Sequence, residues 1–237
     1  MSMGVQPRLA ASDTLGEVAS VLGDAADGIS GSPARVDLWC DPVCPWAWTT
    51  AQWLLEVRRY RPLALRFRVM SLVLLNEGRT DVDARYRLLA RHGWGPARLC
   101  IAAEQDFGPQ SLARLYPALA RRFHDKPVRR GPSALRDALT EAQLPPHLVQ
   151  TATSTVHDEA LRVSHEQAVA AFGAQAGTPL LSLHQEGRTA TTFFGPVLDT
   201  VPLGADAVRL WDGLFALMLT SGFRELKRHR GAEPARN

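Results

Sequence analysis

Among the three cysteines of this chain, Cys40, Cys44 and Cys100, one stands in a sequence that activates a thiol. Cys44 is followed by Pro45-Trp46-Ala47, three quarters of a C-x-x-C redox motif. Proline suits the first position of a helix, where its missing N–H has no partner anyway, so Cys44 falls at the N-cap. There, unpaired backbone N–H groups and the positive end of the helix dipole stabilise a thiolate and hold cysteine pKa values below the free value of about 8.5. The motif therefore predicts a low-pKa nucleophile. Ala47 occupies the place of the second cysteine. A mixed disulfide on Cys44 then has no resolving thiol inside the motif, and net exchange needs an external low-molecular-weight thiol. Cys40 is not expected to serve: four extended residues span about 13 Å, against the 4.4 to 6.8 Å between Cα atoms that a disulfide allows. Cys100, inside an apolar helical run, reads as an inert core residue.

The elements around Cys44 follow from periodicity. Val36, Leu38 and Cys40 alternate with other residues as in a short strand, which Pro42 ends. Ala47, Ala51, Leu54, Leu55 and Val57 recur at helical spacing, predicting a helix over 45–60. After a turn at Arg61-Pro62, Leu63, Leu65, Phe67 and Val69 alternate as a second strand, so 35–70 reads as a β-α-β unit with parallel strands. From about 80 to 172 the pattern is helical, with Pro96, Pro109 and Pro132 marking starts and Leu99, Ala102, Leu115, Leu119, Leu135, Leu139, Leu161 and Val169 supplying apolar stripes. Pro179–Leu183 and Thr189–Phe194 form a predicted hairpin turning at 185–188, and a last helix covers about 206–220. Residues 1–33 read as a flexible leader, with Leu15, Val18, Val21 and Leu22 allowing a short helix that packs on the body or on a second subunit. The tail from Arg228 is polar.

Composition narrows the function classes. Hydrophobic content of 46% and charged content of 22% are those of a globular protein with ample core. The net charge of +3 forms no patch, since the arginines are scattered and Lys126 and Lys227 are the only lysines, so nucleic acid is not an expected partner. No stretch has the roughly 20 apolar residues of a membrane span and no secretory leader pattern opens the chain, which predicts a cytoplasmic protein. No Cys/His cluster has zinc spacing, and no metal site is expected.

The element order, with a cysteine at the first helix N-terminus and Gly177-Thr178-Pro179 opening the third strand, resembles the thioredoxin fold of the DsbA family. Asp41-Pro42-Val43-Cys44-Pro45-Trp46, Met70-Ser71-Leu72 with Leu75-Asn76-Glu77, Trp94-Gly95-Pro96, Ala102-Ala103-Glu104-Gln105, Phe193-Phe194-Gly195-Pro196-Val197-Leu198 and Glu225-Leu226-Lys227-Arg228 are similar to the cytoplasmic, mycothiol-dependent DsbA-like reductases of actinobacteria, a group that includes a nitroreductase. The resemblance covers roughly 34–230. It implies an α/β thioredoxin fold (β-α-β, then β-β-α) made of 34–78 and 173–230, with 79–172 as a large all-helical insertion. It also implies Cys44 as nucleophile, a cis-proline loop at Thr178-Pro179 facing it, and Pro45, Trp46, Asn76, Tyr86 and Trp94 as substrate-binding or cofactor-binding residues. Ala47 stands where that family has its second cysteine.

Four functions fit these residues. In the first, Cys44 attacks a disulfide or an electrophilic small molecule, and mycothiol or a similar thiol completes the cycle without any tightly bound cofactor. In the second, reversible addition of Cys44 to a conjugated double bond isomerises an unsaturated metabolite, which needs no resolving thiol. In the third, Ala47 is a substitution that traps intermediates of a C-x-x-C reductase. In the fourth, the fold is a binding module with a vestigial thiol. The large apolar insertion favours a hydrophobic small molecule as substrate. The oligomeric state is open, with a homodimer among the options. Trp39, Trp48, Trp53 and Trp211 read as core and Trp46 and Trp94 as pocket walls. His92 is a candidate proton donor, while His124, His147, His157, His165, His184 and His229 read as surface or capping residues. The Arg121-Arg122 and Arg129-Arg130 pairs read as solvated faces, one of which could hold an acidic group.

Overall fold

The computed structural model describes residues 33–79, 92–125, 131–187 and 189–228. The leader over 1–32, Tyr86, Lys126, Arg129, Arg130, His229 and the last residues of the tail lie outside them.

Among the described residues four strands form one sheet in the order β2-β1-β3-β4: β1 is Ala34–Cys40, β2 Leu63–Val69, β3 Leu180–His184 and β4 Thr191–Phe194. β1 runs parallel to β2, with Leu38 opposite Phe67, and antiparallel to β3, with Leu38 opposite Leu181; β3 and β4 pair as an antiparallel hairpin. The two strands of the β-α-β unit are thus parallel, as their connection through a helix requires. Alternation along the strands sorts side chains to two faces. Val36, Leu38 and Cys40, with Phe67, Val69, Leu181 and Leu183, enter the larger core. Trp39, Met70 and Leu180 face the other way and form a smaller cluster with Ala168 and Ala176.

The helices are α1 (Pro45–Val57), a single turn α2 (Leu72–Leu75), α3 (Trp94–Phe107), α4 (Pro109–His124), α5 (Pro132–Glu141), a 3₁₀ helix (Pro146–Thr153), α6 (Asp158–Phe172) and α7 (Gly204–Leu219). Pro45, Pro109 and Pro132 stand in the first turn of their helices, where a proline costs nothing. Pro96 does not start one: α3 begins at Trp94, two residues earlier than its proline suggested. Gly108, at φ +78°, lets the chain turn from α3 directly into α4. Leu161, Ser164, His165 and Ala168 form the buried stripe of α6. His165 is therefore not a surface residue, and burial pulls its pKa down.

Trp39, Trp48, Trp53 and Trp211 are buried, as their spacing predicted. His184, expected as a surface or capping residue, is half-buried on the sheet, where Arg35 donates to its Nδ1 and its Nε2 lies 3.1 Å from Asp37 Oδ2. Among the described residues no helix is long and apolar enough to cross a membrane.

Candidate active site

Cys44 is the N-cap of α1, with φ −84° and ψ 113°, the extended conformation a capping residue needs. Its Sγ accepts the Ala47 N–H at 3.4 Å and donates to the Thr178 carbonyl at 3.5 Å. Thr178 comes from the other end of the chain, immediately before β3, and the Thr178-Pro179 peptide is cis. Two further bonds hold this loop against the sheet: Thr178 Oγ1 donates to the Trp39 carbonyl at 3.4 Å, and Gly195 N donates to the Pro179 carbonyl at 2.9 Å. Strand pairing of β1 with β3 thus carries the Cys44 thiol and the facing loop to the same end of the sheet.

The loop before Cys44 is fixed from within by Asp41. This carboxylate is fully buried; Oδ1 accepts Val43 N–H at 2.8 Å and Oδ2 accepts Leu72 N–H at 2.7 Å, tying the loop before Cys44 to α2. Cys44 N also donates to the Asp41 carbonyl at 3.0 Å, closing a turn over 41–44. The first of these bonds is an Asx turn, a local signal the sequence carried. Behind the loop stands Tyr116 of α4, stacked on Phe67 at 5.0 Å between ring centroids and edge-on to Trp48 at 6.3 Å.

One expectation is overturned here. The N-cap position predicted an acidic thiol, yet Cys44 is only 4% exposed and burial pushes its pKa up to about 12. The N–H groups of Ala47 and Trp46 do favour the thiolate, and Asp41's charge opposes it. Loss of water outweighs the helix terminus, because an anion without solvent must be paid for by every remaining donor. Cys44 rests as a neutral thiol whose S–H is given to Thr178. Burial also raises Cys40 and Cys100. Cys100 is a core residue as predicted, and Cys40 Sγ turns away toward the Arg68 carbonyl at 3.6 Å.

The other candidates divide. Pro45 opens α1, and Trp46 is buried beside Cys44 with its backbone N–H toward the sulfur, which makes it part of the core and not an open pocket wall. Asn76 spends its side-chain amide on the Leu72 carbonyl at 2.7 Å, closing α2. Trp94 is half-buried at the start of α3, where the Arg98 guanidinium lies 4.7 Å from its ring and pairs in turn with Asp158. His92 lies just before α3. His124, expected as a surface or capping residue, touches the site: its Nε2 donates to the Pro42 carbonyl at 2.9 Å. Its contact spans 82 residues of sequence, and no local pattern announces it.

A capping thiol set against a cis-proline loop, at the C-terminal end of the first strand of a β2-β1-β3-β4 sheet, is the arrangement of a DsbA-like thiol oxidoreductase on the thioredoxin fold. The chain belongs to the Rv2466c-like family, described as mycothiol-dependent nitroreductase Rv2466c, whose model matches residues 43–228. It is 30% identical over 181 residues to an uncharacterised protein, Rv2286c, of Mycobacterium tuberculosis, covering 74% of each chain. Two solved structures share the fold: a probable DsbA oxidoreductase, SCO1869, from Streptomyces coelicolor (TM-score 0.52, 13% identity, 84% of this chain and 94% of that one), and a candidate protein disulfide isomerase from Nitrosomonas europaea (TM-score 0.51, 12% identity, 80% of this chain and all of that one).

Proposed function

We propose that this chain is a cytoplasmic single-thiol oxidoreductase acting on a small hydrophobic disulfide or electrophile, with a low-molecular-weight thiol of the mycothiol type completing the cycle. The observation that carries this is Cys44 at the α1 N-cap, 3.5 Å from the Thr178 carbonyl, with a buried Ala47 where a resolving cysteine would stand. The Cys44 thiol gives up its proton as substrate enters, and the sulfur then attacks one sulfur of the disulfide. An S–S bond forms to Cys44 and a thiolate leaves, taking the proton. A second thiol molecule, itself deprotonated, attacks the adduct, regenerates Cys44 and departs in a new disulfide. Ala47 and Trp46 N–H groups are placed to steady the sulfur while it carries charge. The helical stretch 79–172 acts as an insertion domain that walls the substrate cleft, with Asn76 and Trp94 at its entrance; Tyr86, outside the described residues, is a further candidate binding residue.

Intact mass of the purified protein, before and after mild thiol reduction, tests this with Cys44→Ser as control. A removable adduct of small-thiol mass on Cys44 alone is the expected result. A Cys44 that alkylates but never accepts a disulfide would refute the redox cycle. Since Ala47 leaves nothing in the motif to resolve an adduct, that outcome would turn the assignment to addition–elimination isomerisation of an unsaturated metabolite.

A further inference from the structure

His124 and Asp125 stand at the C-terminal end of α4, far from Cys44 in sequence; one holds the loop before Cys44 and the other the α1 helix after it. His124 Nε2 donates to the Pro42 carbonyl at 2.9 Å; a carbonyl only accepts, so this nitrogen carries a proton. Asp125 Oδ1 accepts the Trp48 indole N–H at 2.7 Å. Pro42 and Trp48 bracket the nucleophile, and the Trp48 backbone N–H donates to the Cys44 carbonyl at 3.2 Å.

The Pro42–Val43 peptide receives His124 on its oxygen and gives its own N–H to Asp41 Oδ1 at 2.8 Å. Asp41 Oδ2 takes the Leu72 N–H at 2.7 Å. A chain of hydrogen bonds therefore runs from imidazole through one peptide group to a buried carboxylate, each bond polarising the next. Asp41 anchors the loop to β1 and α2, and His124 anchors it to α4. The loop so anchored leads directly into Cys44, whose Sγ accepts the Ala47 N–H at 3.4 Å, the contact that most favours its anion.

We propose that His124 is a positioning residue for Cys44: its Nε2–H holds the Pro42 carbonyl and so keeps the sulfur aligned on the α1 N-terminus. The helical segment between β2 and β3 thereby sets the reactivity of the thiol as well as walling the cleft. This rests on Cys44 being the reactive thiol.

The test is the rate of iodoacetamide alkylation at pH 9, assigned to Cys44 by peptide mass, for wild type, His124→Ala, His124→Gln and His124→Asn. Glutamine carries an amide N–H as far from Cα as the imidazole Nε2, and asparagine falls one atom short. The alanine and asparagine variants should slow by about fivefold or more, as misalignment of a reacting atom does, while glutamine stays within about twofold of wild type. Equal rates in all four proteins, equal slowing of all three variants, or faster alkylation on losing the contact would each overturn the assignment. If the alanine variant does not fold, the glutamine and asparagine pair decides by the same criterion. A wild-type Cys44 that never alkylates would instead refute the reactive-thiol assignment beneath it.

Discussion

Raising the pH is the most direct perturbation of the Cys44 environment. With its pKa pushed up from 9.0 to about 12 by burial, roughly one Cys44 in 30,000 is thiolate at pH 7.5, against roughly one in thirty for an unperturbed cysteine. The difference is about 1,000-fold in the reactive species. Since the thiolate is the nucleophile, the logarithm of the Cys44 alkylation rate should climb one unit per pH unit from pH 7 through pH 10 without levelling. The assay is iodoacetamide labelling over that range, with Cys44 read separately from Cys40 and Cys100 by peptide mass. A plateau below about pH 9.5 would refute the claim that desolvation outweighs the helix N-terminus, and would mean that the reacting thiol is solvated.

Folding stability should follow the same shift. Because the folded pKa of Cys44 lies above its ordinary value of 9.0, its contribution is intact below pH 9 and is lost as pH rises toward 12. Between pH 8 and pH 11 the loss amounts to about 2.6 kcal/mol of the roughly 4 kcal/mol that the full three units represent, read by urea unfolding at those two pH values, and Cys44→Ala should remove that part of the alkaline slope. Ala47→Cys should let the adduct resolve within the chain: after treatment with a small disulfide, intact mass should show an internal disulfide in place of the persistent mixed disulfide. Gly177→Ala would bring a Cβ to 2.8 Å from Phe194 Cε2, so the ring must move beside the Thr178-Pro179 loop. A cost of about 1 kcal/mol in thermal or urea unfolding is expected, and it should vanish in a Phe194→Ala background.

Much of this protein was legible along the chain. The alternation of Val36, Leu38 and Cys40, the proline after Cys44 and the helical stripe to Val57 are local patterns, and local patterns determine strands, helix starts and the capping thiol. The Asp41 Asx turn is local too. The resemblance of the motifs to DsbA-like reductases supplied the facing loop. Other features depended on contacts between distant residues. Whether a capping cysteine is acidic depends on how much water reaches it, and that is set by what packs over it from Thr178, Tyr116 and α4. The sequence placed His124 and His165 among surface or capping residues and Trp46 on a pocket wall. Tertiary packing moved all three, because burial is a property of neighbours brought together by folding. The chain alone singled out Cys44 as the capping thiol and candidate nucleophile, and only the folded structure decided that it rests as a neutral thiol, since solvation, unlike capping, cannot be read from adjacent residues.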